Sequence, residues 1–443
     1  MHASRDHRVV AGDQGVSRYK PYPKYKPSGV EWLGDVPEHW EVSKLKYVLL
    51  TIIAGGTPKT DNSANWCESG EGIPWVSIAD MSESNIIIKT KKDVTTSGIA
   101  EKGLKILPKG TLLYSIFASL GKVAIANVEL TTNQAILGLI PNKKIANEFL
   151  YWLLISLEKY VHFIASSNTQ DNLNMEKVAN FPIPFLPTNE QTAIANFLDR
   201  ETAKIDTLIS KQERLIELLQ EKRQALISHA VTKGLDPNVK MKDSGVAWLS
   251  EVPEHWEVKR LKFNLKTRAK KANLEGRKVI ALENIESGTG KYIPTETKYE
   301  GEDVACYRND ILFGKLRPYL AKVYKCDEDA IAFGDLIAFQ PLSNMNSAYA
   351  FYMMISKNFI KTVDSSTYGA KMPRASVDFI SEMSVPTPPL QEQQQIADYL
   401  DTQTAKIDTL IEKAHQAITL LKERREALIS AAVTGKIDVR ELN

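Results

Sequence analysis

The chain has 443 residues, with 56 Lys+Arg against 54 Asp+Glu, a formal net charge of +2, and 43% hydrophobic residues. That length predicts two to four domains, and that composition excludes disorder throughout. The longest apolar run, Phe149 to Leu157, falls well short of the roughly 20 residues of a membrane helix, so no membrane partner is expected.

In chain order, residues 1–19 come first, mixing Arg5, Asp6, His7 and Arg8 with no apolar stretch behind them. They are expected to be a disordered lead and not a signal peptide. Ser28 to Val42, SGVEWLGDVPEHWEV, returns at Ser244 to Val258 as SGVAWLSEVPEHWEV, identical at twelve of fifteen positions at an offset of 216. Such an internal repeat decides the architecture before any single element does. His39 and His255 sit beside Trp40 and Trp256 in both copies, which fits packing or partner contact better than acid–base work.

The stretch 43–186 carries strand-like runs at Ile86–Ile88, Thr111–Phe117, Val123–Val128 and Ala135–Ile140, then a helical run at Phe149–Tyr160. Two of its loops are candidates for nucleic-acid contact. GGTPKT at 55–60 offers backbone N–H groups with Thr57, Lys59 and Thr60. SSNTQDNLN at 166–174 offers the amides of Asn168, Gln170, Asn172 and Asn174, a group type that pairs with adenine edges.

From Asn189 to Val231 neither proline nor glycine occurs, which predicts a helix of 43 residues, opened by a Thr188/Gln191 capping box. A helix of that length spans roughly 60 Å. Apolar residues alternate at steps of four and three from Ile194 to Leu226, an interrupted heptad seam that includes Ile205, Leu208, Gln212 and Leu215. Pro187–Thr232 matches Pro389–Thr434 at 28 of 46 positions at an offset of 202, so the same helix is predicted again from Gln391 to Val433, with Ile407 and Leu410 in the seam. Two such helices should pack on each other and leave a face for a further partner, and Ile205, Leu208, Ile407 and Leu410 are the candidate docking residues.

The second insert, 259–388, has little similarity to the first. It shows strand-like runs at Lys278–Leu282, Asp310–Phe313, Lys322–Tyr324 and Leu336–Phe339 and a helix near Ala348–Phe359. Lys259–Lys278 holds nine basic residues against Glu275. Lys315, Arg317 and Tyr319, and then Tyr368, Lys371 and Arg374, interleave basic and aromatic groups, which can neutralise phosphates, stack on bases or read base edges. The inserts thus read as two mixed α+β domains.

No phosphate-binding glycine loop, HExxH, zinc-ligand cluster or amino-methyltransferase motif occurs, so a binding chain and not an enzyme is expected, with no catalytic residue, metal or cofactor of its own. Cys67, Cys306 and Cys326 lack metal-like spacing and indicate a reduced, cytoplasmic setting. A duplicated frame carrying two unlike inserts meets one kind of surface twice and two different surfaces once each. A helical adaptor without DNA readout is the alternative class.

Over roughly residues 20 to 440 the chain strongly resembles the specificity subunits of type I restriction–modification systems. The resemblance rests on the repeated SGVEWLGDVPEHWEV, on GGTPKTDNSANWCESGEGIPWVSIADM at 55–81, on GDLIAFQP at 334–341, and most of all on the two helical blocks. It implies target-recognition domains at 20–186 and 234–388, conserved helical regions at 187–233 and 389–443, and an antiparallel coiled coil formed by the two helices. It further implies that each domain reads one half of a split site in double-stranded DNA while the helices set the spacer and dock two methyltransferase subunits. Restriction subunits then join. S-adenosylmethionine, ATP and Mg are expected on those partners, and a methylation-only system is a variant of the same reading.

Overall fold

The computed structural model describes residues 19–158, 160–161, 173–274, 276–369 and 371–442. They fall into two units, one formed by the described residues of Met1–Lys211 with Ala417–Asn443, the other by Gln212–Gln416. Each unit contains a variable domain, one copy of the short repeat, and half of each long helix. The expected domain limits lie at the helix ends, whereas the units divide both helices in mid-length.

Within the first unit a five-stranded sheet runs in the order 49–54, 136–141, 112–115, 123–126, 86–87, beside a four-stranded sheet ordered 131–132, 73–76, 92–94, 66–68. Helix Asn147–Ser156 buries Phe149, Leu150, Trp152, Leu153 and Leu154 against this domain's core. Within the second unit the corresponding sheets are 265–267, 336–341, 311–314, 323–325 and 271–273, 302–306, 330–332, 278–280. The expected helix near 348–359 is two helices, Ser347–Ile355 and Lys357–Ser365, broken at the buried Ser356. Both domains are therefore mixed α+β, built to one plan from unlike sequences.

The long helices run Thr188–Lys233 and Leu390–Val433. In the first unit Arg425 Nε lies 2.9 Å from Asp206 and Arg200 donates to the Leu442 carbonyl, so early residues of one helix meet late residues of the other region. In the second, Arg223 pairs with Asp408 while Ile227, Ala230 and Val231 share a core with Ile396 and Leu400. The helix pair is antiparallel in each unit.

The seam differs from the expected one. Ile194, Leu198, Glu201 and Ile205 are buried as the heptad requires, but the buried positions that follow are Ile216, Leu219, Arg223 and Ile227, while Leu208 and Leu215 are exposed. A straight α-helix drifts by about 20° per heptad against a 3.5-residue repeat. Over the four to five heptads from 194 to 226 that drift approaches the 100° between successive residues, so Ile216, Arg223 and Ile227 are buried in place of 215, 222 and 226, while Leu219 keeps its expected place.

The expected capping box is also absent. The Pro187 carbonyl accepts the Glu190 and Gln191 N–H groups, and the Gln191 side chain is spent elsewhere. Its amide donates to the carbonyls of Leu186 (2.8 Å) and Lys144 (3.1 Å) and accepts from Ala146 N–H at 2.7 Å. Gln393 repeats this with Pro388, Asn344 and Asn346 at 2.8, 3.0 and 2.8 Å. In the second copy Leu390 stands where Thr188 stands in the first, and a leucine cannot cap.

The neighbouring glutamates hold the short repeats. Trp40, fully buried, donates its indole N–H to Glu190 at 3.1 Å, and Trp256 does the same to Glu392 at 3.0 Å. His39 and His255 meet these carboxylates at 2.9 and 2.8 Å. The histidines are thus packing and clamp residues, as their place beside a tryptophan indicated. Helix ends close on the same rings: Gly435 and Gly234 take φ of +72° and +76°, and a Cβ there would come within 3.0 Å of Trp40 and 3.3 Å of Trp256. Around Trp40 the tail residues 434–440 pack on 19–25, with Asp438 N–H on the Lys20 carbonyl (2.7 Å) and the Tyr25 hydroxyl on that of Gly435 (3.0 Å).

Candidate nucleic-acid interface

In the second unit, strand Ile311–Gly314 delivers the chain into a loop that the fold zips to the segment 368–375. Arg317 N–H donates to the Pro373 carbonyl at 2.7 Å, Ala375 N–H to that of Lys315 at 2.9 Å, and Leu316 and Tyr368 both bridge to Arg374. The two basic–aromatic segments, about fifty residues apart in the chain, therefore form one knob. Asp335 ties it to the sheet: its carboxylate pairs with Arg374 and lies 3.9 Å from the Lys315 ammonium, and its carbonyl accepts the Lys315 N–H. Arg317 and Ala321 hold left-handed conformations (φ 51° and 49°), which cost a non-glycine residue of order 1 kcal/mol each. Tyr319, Met372 and Tyr368 project at 52%, 60% and 65% exposure. Four cations (Lys315, Arg317, Lys371, Arg374) face one carboxylate, beside planar rings able to stack on bases.

The basic run 259–278 is largely consumed by the fold. Arg260 and Lys262 share Glu382 at 2.9 and 2.5 Å, Lys259 pairs with Glu257, and Lys278 reaches Glu328 at 2.8 Å. Arg268 grips Asp310 with two nitrogens (2.9 and 3.1 Å) and lies over the Tyr307 ring. What the run leaves exposed is Lys266, Lys270, Lys271 and Arg277. Arg277 lines a polar cavity of about 570 Å³ with Asn273, Tyr292, Lys298 and Tyr299. The Glu283 carboxylate is held below its usual range by hydrogen bonds from two residues of this wall, Thr297 and Tyr299. Lys298, Tyr292 and Tyr299 were not signalled by the sequence, because 292–299 holds a single basic residue among threonines and Glu296.

In the first unit the loop 55–60 is tighter than its glycines suggested. Gly55 and Gly56 donate their N–H groups to the carbonyls of Ile136 and Thr132, so neither is left for a phosphate. A Cβ on Gly55 would fall 2.1 Å from the Asn133 carbonyl oxygen, so only glycine fits there. The Thr57 hydroxyl bonds to Gln134. Trp75 donates to the Gly56 carbonyl (2.9 Å) and Trp66 to that of Lys59 (3.1 Å), leaving the Lys59 and Thr60 side chains exposed on a rigid loop. Asn174 is the N-cap of helix Met175–Ala179, its side chain accepting from Lys177 N–H at 2.8 Å, so its amide oxygen has a local role. Asn168, Gln170 and Asn172 lie outside the described residues.

The first-unit counterpart of the knob is the loop after strand Leu112–Ser115, which also contains a left-handed non-glycine residue, Ala118 (φ 63°), next to the exposed Phe117. It had no basic residue at its tip to mark it in the sequence. Of the four candidate docking residues, Ile205 and Ile407 are each 4% exposed and closed to any partner, whereas Leu208 and Leu410 are 45% and 48% exposed. Leu218 and Leu420, also matched at the offset of 202, are exposed as well. Among the described residues no helix is long and apolar enough to cross a membrane.

A family model for the type I restriction modification DNA specificity domain matches residues 37–218 and 253–420. The chain is 26% identical to the type I restriction enzyme MjaIX specificity subunit of Methanocaldococcus jannaschii, over 93% of this chain and 96% of that one. It is 24% identical to the EcoDI specificity subunit of Escherichia coli, over 66% and 70%. Among solved structures, the HsdS subunit from Thermoanaerobacter tengcongensis superposes with a TM-score of 0.53 at 16% identity, covering 91% of this chain and 98% of that one. A chain from work on complex assembly and conformational transition of the type I R-M system gives 0.66 at 15% identity, covering 90% and 98%.

Proposed function

Because the chain belongs to the family of type I restriction–modification DNA specificity subunits, we propose that its two variable domains read the two halves of a split DNA site. The observation that carries this reading is the pair of identical mounts, Glu190–Gln191 and Glu392–Gln393, each holding a domain of different sequence. An identical mount with a different reader suits a target whose halves differ. In the second domain the knob of Lys315, Arg317, Tyr319, Tyr368, Lys371 and Arg374 faces the duplex, its cations on phosphates and its rings and Arg317 toward base edges. In the first domain Lys59 and Thr60 take the corresponding part from a loop locked by two tryptophans.

The long helices set the non-specific spacer, and the exposed leucines at 208, 218, 410 and 420 dock two copies of a methyltransferase subunit. Adenine methylation with S-adenosylmethionine, and any ATP- and Mg-dependent cleavage by restriction subunits, belong to those partners. Methylome sequencing of cells carrying this chain with its methyltransferase tests the reading. A split motif with modified adenines should appear, and should vanish when the chain is deleted. Methylation of the same motif without the chain would refute it.

A further inference from the structure

The short repeat is followed by a 3-10 turn in each unit, Leu45–Val48 and Leu261–Phe263. Leu45 and Leu261 are fully buried, and their N–H groups are fixed on the Phe181 and Met383 carbonyls at 2.9 and 2.8 Å. Three residues on, Val48 and Asn264 turn back inward before the next strand. The two residues between are thereby pushed outward, and the second of them is aromatic in both copies: Tyr47 at 59% exposure and Phe263 at 57%. Asn142 and Asn344 brace these positions, donating to the Tyr47 and Phe263 carbonyls at 3.2 and 3.4 Å. They come from different positions of the loops that carry them, so the same support is reached by two routes. The stems of Lys46 and Lys262 place their ammonium groups 5.3 and 5.4 Å from the ring centres. Both lie just past the short repeat but still at its offset of 216, and among the described residues from Ser28 to Leu49 and from Ser244 to Leu265 this is the one position that is a large apolar residue and more than half exposed in both copies.

We propose that Tyr47 and Phe263 are anchor residues for the two methyltransferase subunits, one ring entering an apolar pocket of each. The inference rests on the reading above that two copies of one partner bind this chain. The repetition identifies the occupant: the loops placed at DNA differ between the units, whereas this surface is the same in both and so meets something that is the same in both. At the second copy charge argues against phosphate: beside Phe263, Arg260 and Lys262 are already satisfied by Glu382. A ring on the variable domain's side of the frame, with leucines on the helix, attaches the partner at two points. Two-point attachment fixes its angle to the recognition domain, which a helix contact alone leaves free to swivel.

Tyr47→Ser and Phe263→Ser, with Tyr47→Phe as the conservative variant, test this by native mass spectrometry and sedimentation with the methyltransferase subunit of the same system. The expected result is two partners on the unaltered chain, one on either serine variant at matched concentration, and weakening of the lost site by about 30-fold, the scale of an aromatic anchor. Tyr47→Phe should restore the second partner. Tyr47→Lys provides a second disruptive variant, and an unchanged melting temperature excludes misfolding. Unaltered stoichiometry and affinity in both serine variants overturn the proposal, as does loss of DNA affinity with partner binding intact. If Leu208→Asp sheds a partner while Tyr47→Ser does not, the docking reading stands and this inference fails. If the unaltered chain binds none, both fail.

Discussion

Glu190 shows how much one side chain carries in this frame. It is 3% exposed and accepts from Trp40, His39 and the Tyr22 hydroxyl. Glu190→Ala leaves buried donors without a partner, and at 1–3 kcal/mol for each such group the first unit should lose about 3 kcal/mol in urea unfolding. Glu392→Ala should cost less, because Asn238 stands where Tyr22 stands and the glutamate has one fewer buried donor. Nearby, Asp438 is held below the usual carboxylate range, first by its hydrogen bond from Arg440. A depressed carboxylate stabilises at pH values above its unfolded value, about 3.9, and loses that contribution as pH falls through the lower folded one. Melts of the chain and of Asp438→Asn should therefore differ at pH 6 and draw together as the pH falls below about 3.9. On the knob, Lys371 is exposed with no structural task visible in the fold. Lys371→Ala should weaken binding across DNA sequences and reduce the salt slope by about one; unchanged affinity at every salt concentration would remove Lys371 from the interface. The knob residues could be read from the sequence as basic–aromatic interleaving, but their union could not, since it depends on Asp335 and on backbone pairing between distant segments. The pairing of the run at 259–278 was hidden for the complementary reason. Apart from Glu257, its acids, Glu382, Asp310, Asp327 and Glu328, lie far along the chain.

At the level of elements, the long helices were legible to within two residues at either end, because 43 residues without proline or glycine leave few alternatives. Their inner face was legible for the first three turns and at single positions beyond, since Leu219, Ala414 and Leu428 are buried on the expected seam while Leu208, Leu215 and Leu410 are exposed. A heptad count assumes 3.5 residues per turn, and an unsupercoiled helix keeps nearer 3.6, so the count loses positions with distance. The difference has a test. Ile205→Ala should cost about 2–4 kcal/mol as a buried truncation, whereas Leu208→Ala should leave the melting temperature within about a degree and lower partner affinity. Equal destabilisation by both would restore the regular heptad. The short strands that join the repeats to the domains, such as Glu41–Lys44 with Pro182–Phe185, gave little warning in the sequence, since four residues carry too little periodicity to register.

For the whole molecule, the repeat offsets announced two units. What they left open was that each unit takes half of both helices, which follows from packing between residues some 200 positions apart. The helices then act through their length. Adding seven residues to each, two turns or about 10 Å, keeps the seam in phase and should widen the gap in the methylated motif by about three base pairs at 3.4 Å each. An unaltered gap would separate helix length from the spacer.

The bonds of Gln191 and Gln393 have a last consequence. All six go to backbone atoms: the carbonyls of Leu186, Lys144, Pro388 and Asn344, and the N–H groups of Ala146 and Asn346. A socket that grips only main chain is blind to the side chains of whatever is plugged into it. Any domain that brings two carbonyls and one amide to that spot will seat, whatever its surface has become. At these two glutamines, then, each variable domain can change its side chains freely, and what remains specific in the joint is carried by a few pairs such as Trp152 on Asp199 and Tyr352 on Asp401.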